Sequence, residues 1–376
     1  MLRAIVGRWV DDGHEVDVLS SQPSYKAGVD NPRQAARERV DGANVVRLNL
    51  PPEAGRPLVR VLNALVLGLG VFWQAVIRKR YDVIMVSTSP PVLAGWFVAV
   101  AAKLTGAHFI YHCMDIHPEI GRISGEFRNP RVFSLLSRLD RWTCAQARPV
   151  VVLSDDMAET LIARRSEKPP ETAVINNFSL PSEGAAVDEL PFPWPNEMFV
   201  LLFAGNIGRF QGLDALLDAM ASLRDRQDIR LIMMGDGTEK ERLTRKAKEN
   251  GANVSFVGHQ PVEVAKAAMA KASAGFVSLV PELYRYAYPS KTMTYLEQGC
   301  PVLVAVETDS CLARDVIDNG AGVAVPGGDV DALVNAMLSL ADDPESLGSM
   351  RQKALEFSAR AFATDVVLGR WSSLLQ

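Results

Sequence analysis

Two α/β domains, each built on a parallel sheet, are what this chain predicts, and three observations lead there. Short β-type runs alternate with helical segments along nearly the whole sequence, the pattern of parallel strands joined by right-handed crossovers. Its 376 residues, 48% of them hydrophobic, are enough for two cores. Between about Leu180 and Met198 the composition turns to prolines, acids and small residues, which marks a linker.

Taken in order, Leu2–Val10 has a helical pattern and Gly13-His-Glu-Val-Asp-Val-Leu-Ser20 passes into a strand. Val45–Leu48 reads as a second strand, and about Pro57–Arg80 as a long apolar helix. Strands follow at Asp82–Ser87 and His108–His112, with the alanine-rich helix Pro91–Leu104 between them. A helix at about Pro130–Arg148 and strands at Pro149–Ser154 and Thr172–Asn176 complete a first domain over about residues 1–180. The second, over about residues 190–356, has strands at Phe199–Ala204, Ile229–Met234, Val254–Val257, Ala274–Ser278, Val302–Ala305 and Gly322–Val325. Two open α/β sheets that face each other take ligands at the carboxyl ends of their strands.

Composition excludes several classes. A net charge of −4 argues against a nucleic-acid binder that works through a broad basic face. Cys113, Cys144, Cys300 and Cys311 are scattered without C-x-x-C spacing, so neither a zinc ribbon nor a disulfide framework is indicated and a reducing cytosol is the simplest setting. No signal peptide is visible at the helix-like start, and no internal repeat stands out.

Two segments of the second half read as anion cradles. In Tyr288-Pro-Ser-Lys-Thr-Met-Thr-Tyr-Leu-Glu-Gln-Gly-Cys-Pro301, Pro289 and Ser290 signal a helix start, with Ser290 as the N-cap, and Gly299 and Pro301 a stop. Lys291 opposes the helix dipole in the first turn, so Ser290, Lys291 and Thr292 are expected to meet an anion from outside. The second cradle is Gly205-Asn-Ile-Gly-Arg-Phe-Gln-Gly212, a strand-to-helix turn where Gly205, Asn206 and Gly208 let backbone approach a phosphate and Arg209 matches its oxygens. Neither a dinucleotide fingerprint nor a P-loop is present, and a diphosphate is the expected ligand.

In the first half, His112-Cys-Met-Asp-Ile-His-Pro-Glu119 gathers His112, Asp115 and Glu119 just beyond a strand end. A polar loop capped by Pro118, with Glu119 in solvent, is the plainer reading. The spacing of His112, Cys113 and His117 matches no usual metal site.

These landmarks resemble the family-four retaining glycosyltransferases, with two facing Rossmann-like domains (the GT-B architecture). The matching residues are Gly13–Ser20, Val152-Leu-Ser154, Val174-Ile-Asn-Asn177, Phe203-Ala-Gly205 with Gly212, Gly235-Asp-Gly237, Phe256-Val-Gly258, Pro289-Ser-Lys291, Gly299-Cys-Pro301 and Gly320-Ala-Gly322 followed by Asp329. The variants Gly-Asn-Ile-Gly-x-x-Gln-Gly and Pro-Ser-Lys resemble the branch that makes bacterial O-antigen, capsule and colanic-acid polysaccharides, fucosamine-type transferases included. The resemblance implies a nucleoside-diphosphate sugar as donor, no metal and no other cofactor, and a lipid-linked saccharide as acceptor. Donor contacts would fall on Gly205, Asn206, Gly208, Arg209, Gly237, Ser290, Lys291, Thr292 and Thr294, and the reaction near Asp115, His112 and Glu119. It also implies that a C-terminal helix at about 357–376 packs back on the first domain. Three departures stand out: the chain starts at the first helix, without the family's first strand; Tyr286 and Thr294 replace the usual pair of glutamates; and Gln211 stands where many relatives carry lysine. A nucleotide-sugar epimerase of the same fold and a truncated, non-catalytic nucleotide-binding paralogue are the alternatives.

Leu58–Ile77 is strongly apolar but broken by Arg60, Asn63 and Gln74, short of the roughly 20 uninterrupted residues a span needs. With Arg56, Arg60, Arg78, Lys79 and Arg80 around it, it reads as a peripheral helix on anionic lipid at the inner face of the plasma membrane, or equally as a packing helix.

Overall fold

Alternating strands and helices give the expected α/β class, divided into one unit of Met1–Asn176 with Leu368–Gln376 and another of Asn177–Val367. The computed structural model describes residues 1–22, 33–51, 57–78, 80–88, 91–123, 125, 127, 129–164, 168–179, 184 and 187–376, without the side chains of 57 and 58.

The first unit runs α1 (Leu2–Asp11), β1 (Asp17–Ser21), β2 (Arg37–Val40), β3 (Ala43–Leu48) and α2 (Pro57–Trp73), which ends in a π-helical stretch, Gln74–Arg78. It continues with β4 (Val83–Ser87), α3 (Leu93–Thr105), β5 (His108–His112), α4 (Glu119–Ile123), α5 (Pro130–Gln146), β6 (Val150–Val152), α6 (Asp155–Ala163) and β7 (Thr172–Val174). Local chemistry explains the helix starts. The Asn129 side chain accepts from the Arg131 amide at 2.9 Å, with Pro130 at the first helical position of α5. Ser154 caps α6 in the same way, ahead of Asp155 and Asp156 in its first turn.

Strands β4-β5-β6-β7 pair in that order, all parallel, whereas β1-β3-β2 form a separate sheet. In that smaller sheet β2 is antiparallel to β3, a departure from the all-parallel expectation. The cause is a two-residue hairpin, Asp41-Gly42, with φ of 48° and 81°, the left-handed pair that an Asp-Gly turn supports. Arg3 of α1 anchors the turn by an ion pair to Asp41 at 2.6 Å. Between the two sheets, the Tyr81 hydroxyl donates to Asp17 of β1 at 2.7 Å and accepts from Gln74 at 2.8 Å.

The second unit runs β8 (Phe199–Ala204), α7 (Asp214–Ser222), β9 (Ile229–Met234), α8 (Lys240–Asn250), β10 (Val254–Val257), α9 (Val262–Lys271), β11 (Ala274–Ser278) and α10 (Lys291–Glu297). After these come β12 (Val302–Ala305), α11 (Cys311–Asp318), β13 (Gly322–Val325), α12 (Val330–Asp342), α13 (Pro344–Ala361) and the first residues of α14 (Thr364–Ser373). Its six strands are all parallel, in the order β10-β9-β8-β11-β12-β13. The central strands β8, β11 and β12 are buried along their whole length, so β8 and β11 read as near-continuous apolar runs rather than alternating ones. The described part of the linker is tied to this unit: Ser179 donates to Glu297 at 2.5 Å, and the Gly184 amide to Glu263 at 3.0 Å. Helix α13 also belongs here, so that Leu368–Gln376 alone returns to the first unit. There Trp371 is fully buried and stands edge-on to Trp9 with ring centres 6.2 Å apart.

Strand order reverses between β8 and β11, and at that point the sheet opens. The two strands pair only through Ala274–Leu201 and Gly275–Leu202. Beyond this pair the phenol of Tyr295, on α10, takes over: its hydroxyl accepts from the Ala204 amide and donates to the Leu202 carbonyl, both at 2.8 Å. Gly275 leaves room for the ring, since a Cβ there would lie 2.5 Å from it. Tyr295→Phe should therefore strand a buried amide and carbonyl and lower stability by about 1–3 kcal/mol. Gly275→Ala should cost a similar roughly 1–3 kcal/mol by overpacking, measured by denaturant unfolding. A Gly275→Ala protein as stable as its parent would contradict this packing.

Candidate functional site

A reversal of strand order leaves a crevice at the carboxyl ends of the flanking strands, where α/β sheets bind ligands. In the second unit that place is the end of β8, and the Gly205–Gly212 turn leaves from it. The neighbouring turn after β9 lies directly against it. The Gly205 amide donates to Met234 O at 3.0 Å, and the Ile207 amide to Asp236 O at 2.8 Å. A Cβ on Gly235 would sit 1.9 Å from Gly205 O, and one on Gly237 would sit 2.2 Å from Ile207 O. Two backbones in such contact exclude side chains, and Gly235 and Gly237 have φ of 138° and 159° besides. Gly237 thus shapes the cradle from beneath.

Other residues of the turn have distinct places. Asn206 is exposed, while the Gly208 amide donates to the Gln211 side chain at 3.1 Å. Gln211 thus braces the turn rather than supplying a charge. Arg209 projects into solvent, 73% exposed, and is held by Glu239 at 3.3 Å, a carboxylate it shares with Arg242. Such an exposed pair is weak, so the guanidinium is available to a stronger anion.

Lys291 reaches the same place from α10. Its Nζ lies 3.8 Å from the centre of the Phe203 ring, two residues before Gly205. The amine is enclosed and has no hydrogen-bond partner among the described residues. Burial pulls its pKa down from the usual lysine range to about 7. The hydroxyls of Thr292 and Thr294, residues that are 0% and 3% exposed, are likewise buried without partners. The N-cap expectation needs correction: Ser290 has φ −60° and ψ −22°, already helical, and its side chain makes no capping bond. The hydroxyl therefore does not reach the first-turn amides, and α10 has only seven residues. The attraction for an anion in this corner rests on the lysine rather than on a capped helix.

In the first unit the three residues of the His112–Glu119 segment separate into different environments. His112 ends β5, is fully buried, and stands edge-on to Trp371 with ring centres 4.8 Å apart. Burial, reinforced by the N-terminal ammonium, lowers its pKa to about 4, so the ring is neutral at pH 7. Asp115 is partly buried, its amide donating to the Thr88 hydroxyl at 3.4 Å, and desolvation raises its pKa above the usual carboxylate range. Glu119 is not in solvent but bound to Arg164. Sequence reasoning missed Arg164, Asp140 and Tyr295, because a lone arginine, aspartate or tyrosine inside a helical pattern carries no local signal. Among the described residues no group of three or more His, Cys, Asp or Glu is placed to hold a metal ion.

Two Rossmann-like α/β units, one with a glycine turn and an enclosed lysine at its switch point, make up an architecture that nucleotide-using enzymes of several kinds share. Residues 1–177 match the family described as "Glycosyl transferase 4-like domain", and residues 198–343 that described as "Glycosyl transferases group 1". Each half of the chain is thus similar to a glycosyl transferase domain, and its fold is that of the GT-B glycosyltransferase structures. Among curated proteins it is similar to "Probable glycosyltransferase WbjE" of Pseudomonas aeruginosa, 24% identical over 311 residues, 80% of this chain and 76% of that protein. It is also similar to WcaI of Escherichia coli K12, named for colanic acid biosynthesis as a glycosyl transferase, 23% identical over 330 residues, 83% of this chain and 80% of that one. Among solved structures it resembles sucrose-phosphate synthase from Thermosynechococcus elongatus, with a TM-score of 0.76 and 18% identity over 100% of this chain and 91% of that chain. Anabaena HepE in complex with UDP gives a TM-score of 0.64 and 18% identity, over 89% and 86%.

The depressed pKa of Lys291 makes a stability prediction. Between about pH 7 and the unfolded-chain value of about 10.4, the unfolded state binds a proton that the folded state does not, so this group makes stability rise with pH across that window. Below pH 7 its destabilisation is complete. Lys291→Met should therefore be more stable than the parent near pH 7, by on the order of 3 kcal/mol, with the gap closing towards pH 10. Paired thermal melts across pH measure it, and a gap independent of pH would rule out an enclosed, unpaired amine.

Proposed function

We propose that the protein transfers a sugar from a nucleoside-diphosphate sugar to a lipid-linked glycan, with retention of anomeric configuration, in the synthesis of bacterial cell-surface polysaccharide. The observation that carries this reading is Lys291: an enclosed amine with no hydrogen-bond partner among the described residues, beside the glycine turn at the end of β8. An unpaired buried cation is unfavourable by itself, and a diphosphate in the crevice relieves it. The colanic-acid name of WcaI and the UDP held by HepE support the choice of pathway and donor class.

In this reading the departing diphosphate gathers charge as the glycosidic bond breaks, and Lys291 and Arg209 stabilise it where it develops. The glycines of the Gly205–Gly208 turn let its backbone approach the same anion closely. Thr294 meets a ribose hydroxyl, and Asp115 works on the acceptor side. No metal is called for, since the two cations carry the neutralising charge.

The acceptor's lipid gives a role to α2. Val59–Arg78 is long and apolar enough to cross a bilayer, with 22% of it buried. One face packs inward: Asn63, Ala64 and Ala75 are buried, and a Cβ on Gly68 would press within 2.8 Å of Phe97 on α3. Along the other, Leu62, Val66, Leu69, Trp73 and Ile77 form an exposed stripe, with Arg60, Arg78 and Arg80 exposed nearby. Arg56 and Lys79 lie outside the described residues. A helix apolar on one side, cationic around it and packed on the other lies in the plane of an anionic bilayer rather than through it. The protein is thus a peripheral enzyme of the cytoplasmic membrane face.

Incubation with labelled nucleoside-diphosphate sugars and a polyprenyl-linked saccharide should give a labelled lipid-linked product. Release of an altered sugar without any acceptor would sink the transferase reading. Lys291→Ala should weaken nucleoside-diphosphate binding on the order of 10- to 100-fold by calorimetry, with little effect on the bare nucleoside. Because the bound form carries the proton, affinity for the diphosphate should also fall as pH rises above about 7. Replacing Leu69 and Trp73 by Asp should abolish sedimentation with phosphatidylglycerol vesicles. Undiminished sedimentation would assign that stripe to another contact.

A further inference from the structure

The first unit holds a buried charge cluster with no part in the steps above. Arg164 follows the last turn of α6, and its side chain is 10% exposed. Its guanidinium reaches three separate pieces of chain. One nitrogen donates to Asp140 of α5 at 2.5 Å; the other donates to the His117 carbonyl at 2.9 Å and to the Glu119 carboxylate. Asp140 is 2% exposed and also accepts from the hydroxyl of Tyr111, on β5, at 3.1 Å. The planar fork of arginine suits this task, because it directs several donors to fixed points at once.

The loop from Cys113 to Glu119 hangs between this clamp and the end of β5. At its near end the Cys113 amide donates to Val151 O at 2.8 Å, and its thiol to the Asp115 carbonyl at 3.4 Å. In the middle Ile116 is fully buried. At the far end Arg164 grips both His117 and Glu119. Asp115 lies between the two anchored ends, partly buried, its amide on the Thr88 hydroxyl. Of the two loop carboxylates, Glu119 is thus committed to the ion pair with Arg164, and Asp115 is not part of that pair.

We infer that Arg164 is a positioning residue: it fixes the 113–119 loop and so aims the Asp115 carboxyl, without itself touching substrate. This rests on the reading of Asp115 as the acceptor-side group. A purely structural arginine would lower stability alone, whereas a positioning one changes the loop and the acceptor step together.

The test compares Arg164→Met and Arg164→Lys with the parent, all as full-length protein. Hydrogen exchange of the amides of residues 113–120 should quicken by roughly tenfold or more in Arg164→Met, with the second unit unchanged. Arg164→Lys, a single point charge, should restore part of that protection. In transfer assays Arg164→Met should lower kcat and raise the acceptor KM about tenfold, leaving donor KM and calorimetric donor binding at parental values. Unchanged loop exchange in a folded Arg164→Met protein would overturn the inference, as would equal loss of donor and acceptor affinity. Should Arg164→Met fail to fold, Glu119→Gln removes one arm of the clamp and the same exchange comparison applies. The exchange measurement needs no turnover, so a parent that transfers no sugar would refute the proposed function while still deciding the role of Arg164.

Discussion

One phenol decides the architecture of the second unit. By bridging Leu202 and Ala204, the hydroxyl of Tyr295 takes the place of a neighbouring strand and satisfies an amide and a carbonyl that a splayed β8 would otherwise leave buried and unpaired. The strands can then part at their carboxyl ends without loss of hydrogen bonding. The rest follows from that parting. Gly275 must lack a side chain to admit the ring, and α10 must lie close enough to deliver it. Lys291, one helical turn before Tyr295, is carried to the ring of Phe203 by the same placement. The glycine turns after β8 and β9 fill the floor of the crevice with backbone alone.

The two units treat buried charge in opposite ways. In the first, the two terminal nitrogens of Arg164 meet Asp140 and Glu119, and each holds a piece of chain in place. Such a cluster favours one arrangement of α5, α6 and the loop, since removal of any member leaves a charge in a dry setting. In the second, the Lys291 amine and the hydroxyls of Thr292 and Thr294, on the same helix, have no hydrogen-bond partner among the described residues. Satisfied polar groups build scaffold, and unsatisfied ones mark a place where something else belongs.

Much of this was legible in the sequence. Apolar runs located β5, β8, β9, β10, β11, β12 and β13 to the residue, because parallel strands packed between helices are mostly apolar and end where glycine or a polar turn begins. The antiparallel β2 was not anticipated, although Asp41-Gly42 is a hairpin signal, because its strand Arg-Glu-Arg-Val is mostly polar and reads as loop. Ser290 had the right residue type for a cap but not the backbone to act as one, and dihedral angles leave no trace in composition. The two glycine turns were visible as motifs, while their mutual contact depends on neighbouring strands that lie 30 residues apart in the chain. Arg164 was illegible for the same reason: its partners Asp140 and Glu119 are 24 and 45 residues away. The long apolar helix was recognised, but which side faces outward follows only from its packing on α3.

Trp371, the indole that closes over His112 and stacks edge-on to Trp9, lies near the end of the sequence although the core it completes is built from the beginning. During synthesis the two belong to different moments. The amino-terminal unit leaves the ribosome with its sheet and helices in hand but with that apolar socket empty, and it must wait through the whole of the second unit before the filler arrives. The second unit, continuous from Asn177 to Val367, has no such delay. The domain made first is therefore finished last, and a chain interrupted anywhere before Trp371 leaves both tryptophan partner and buried histidine open to water.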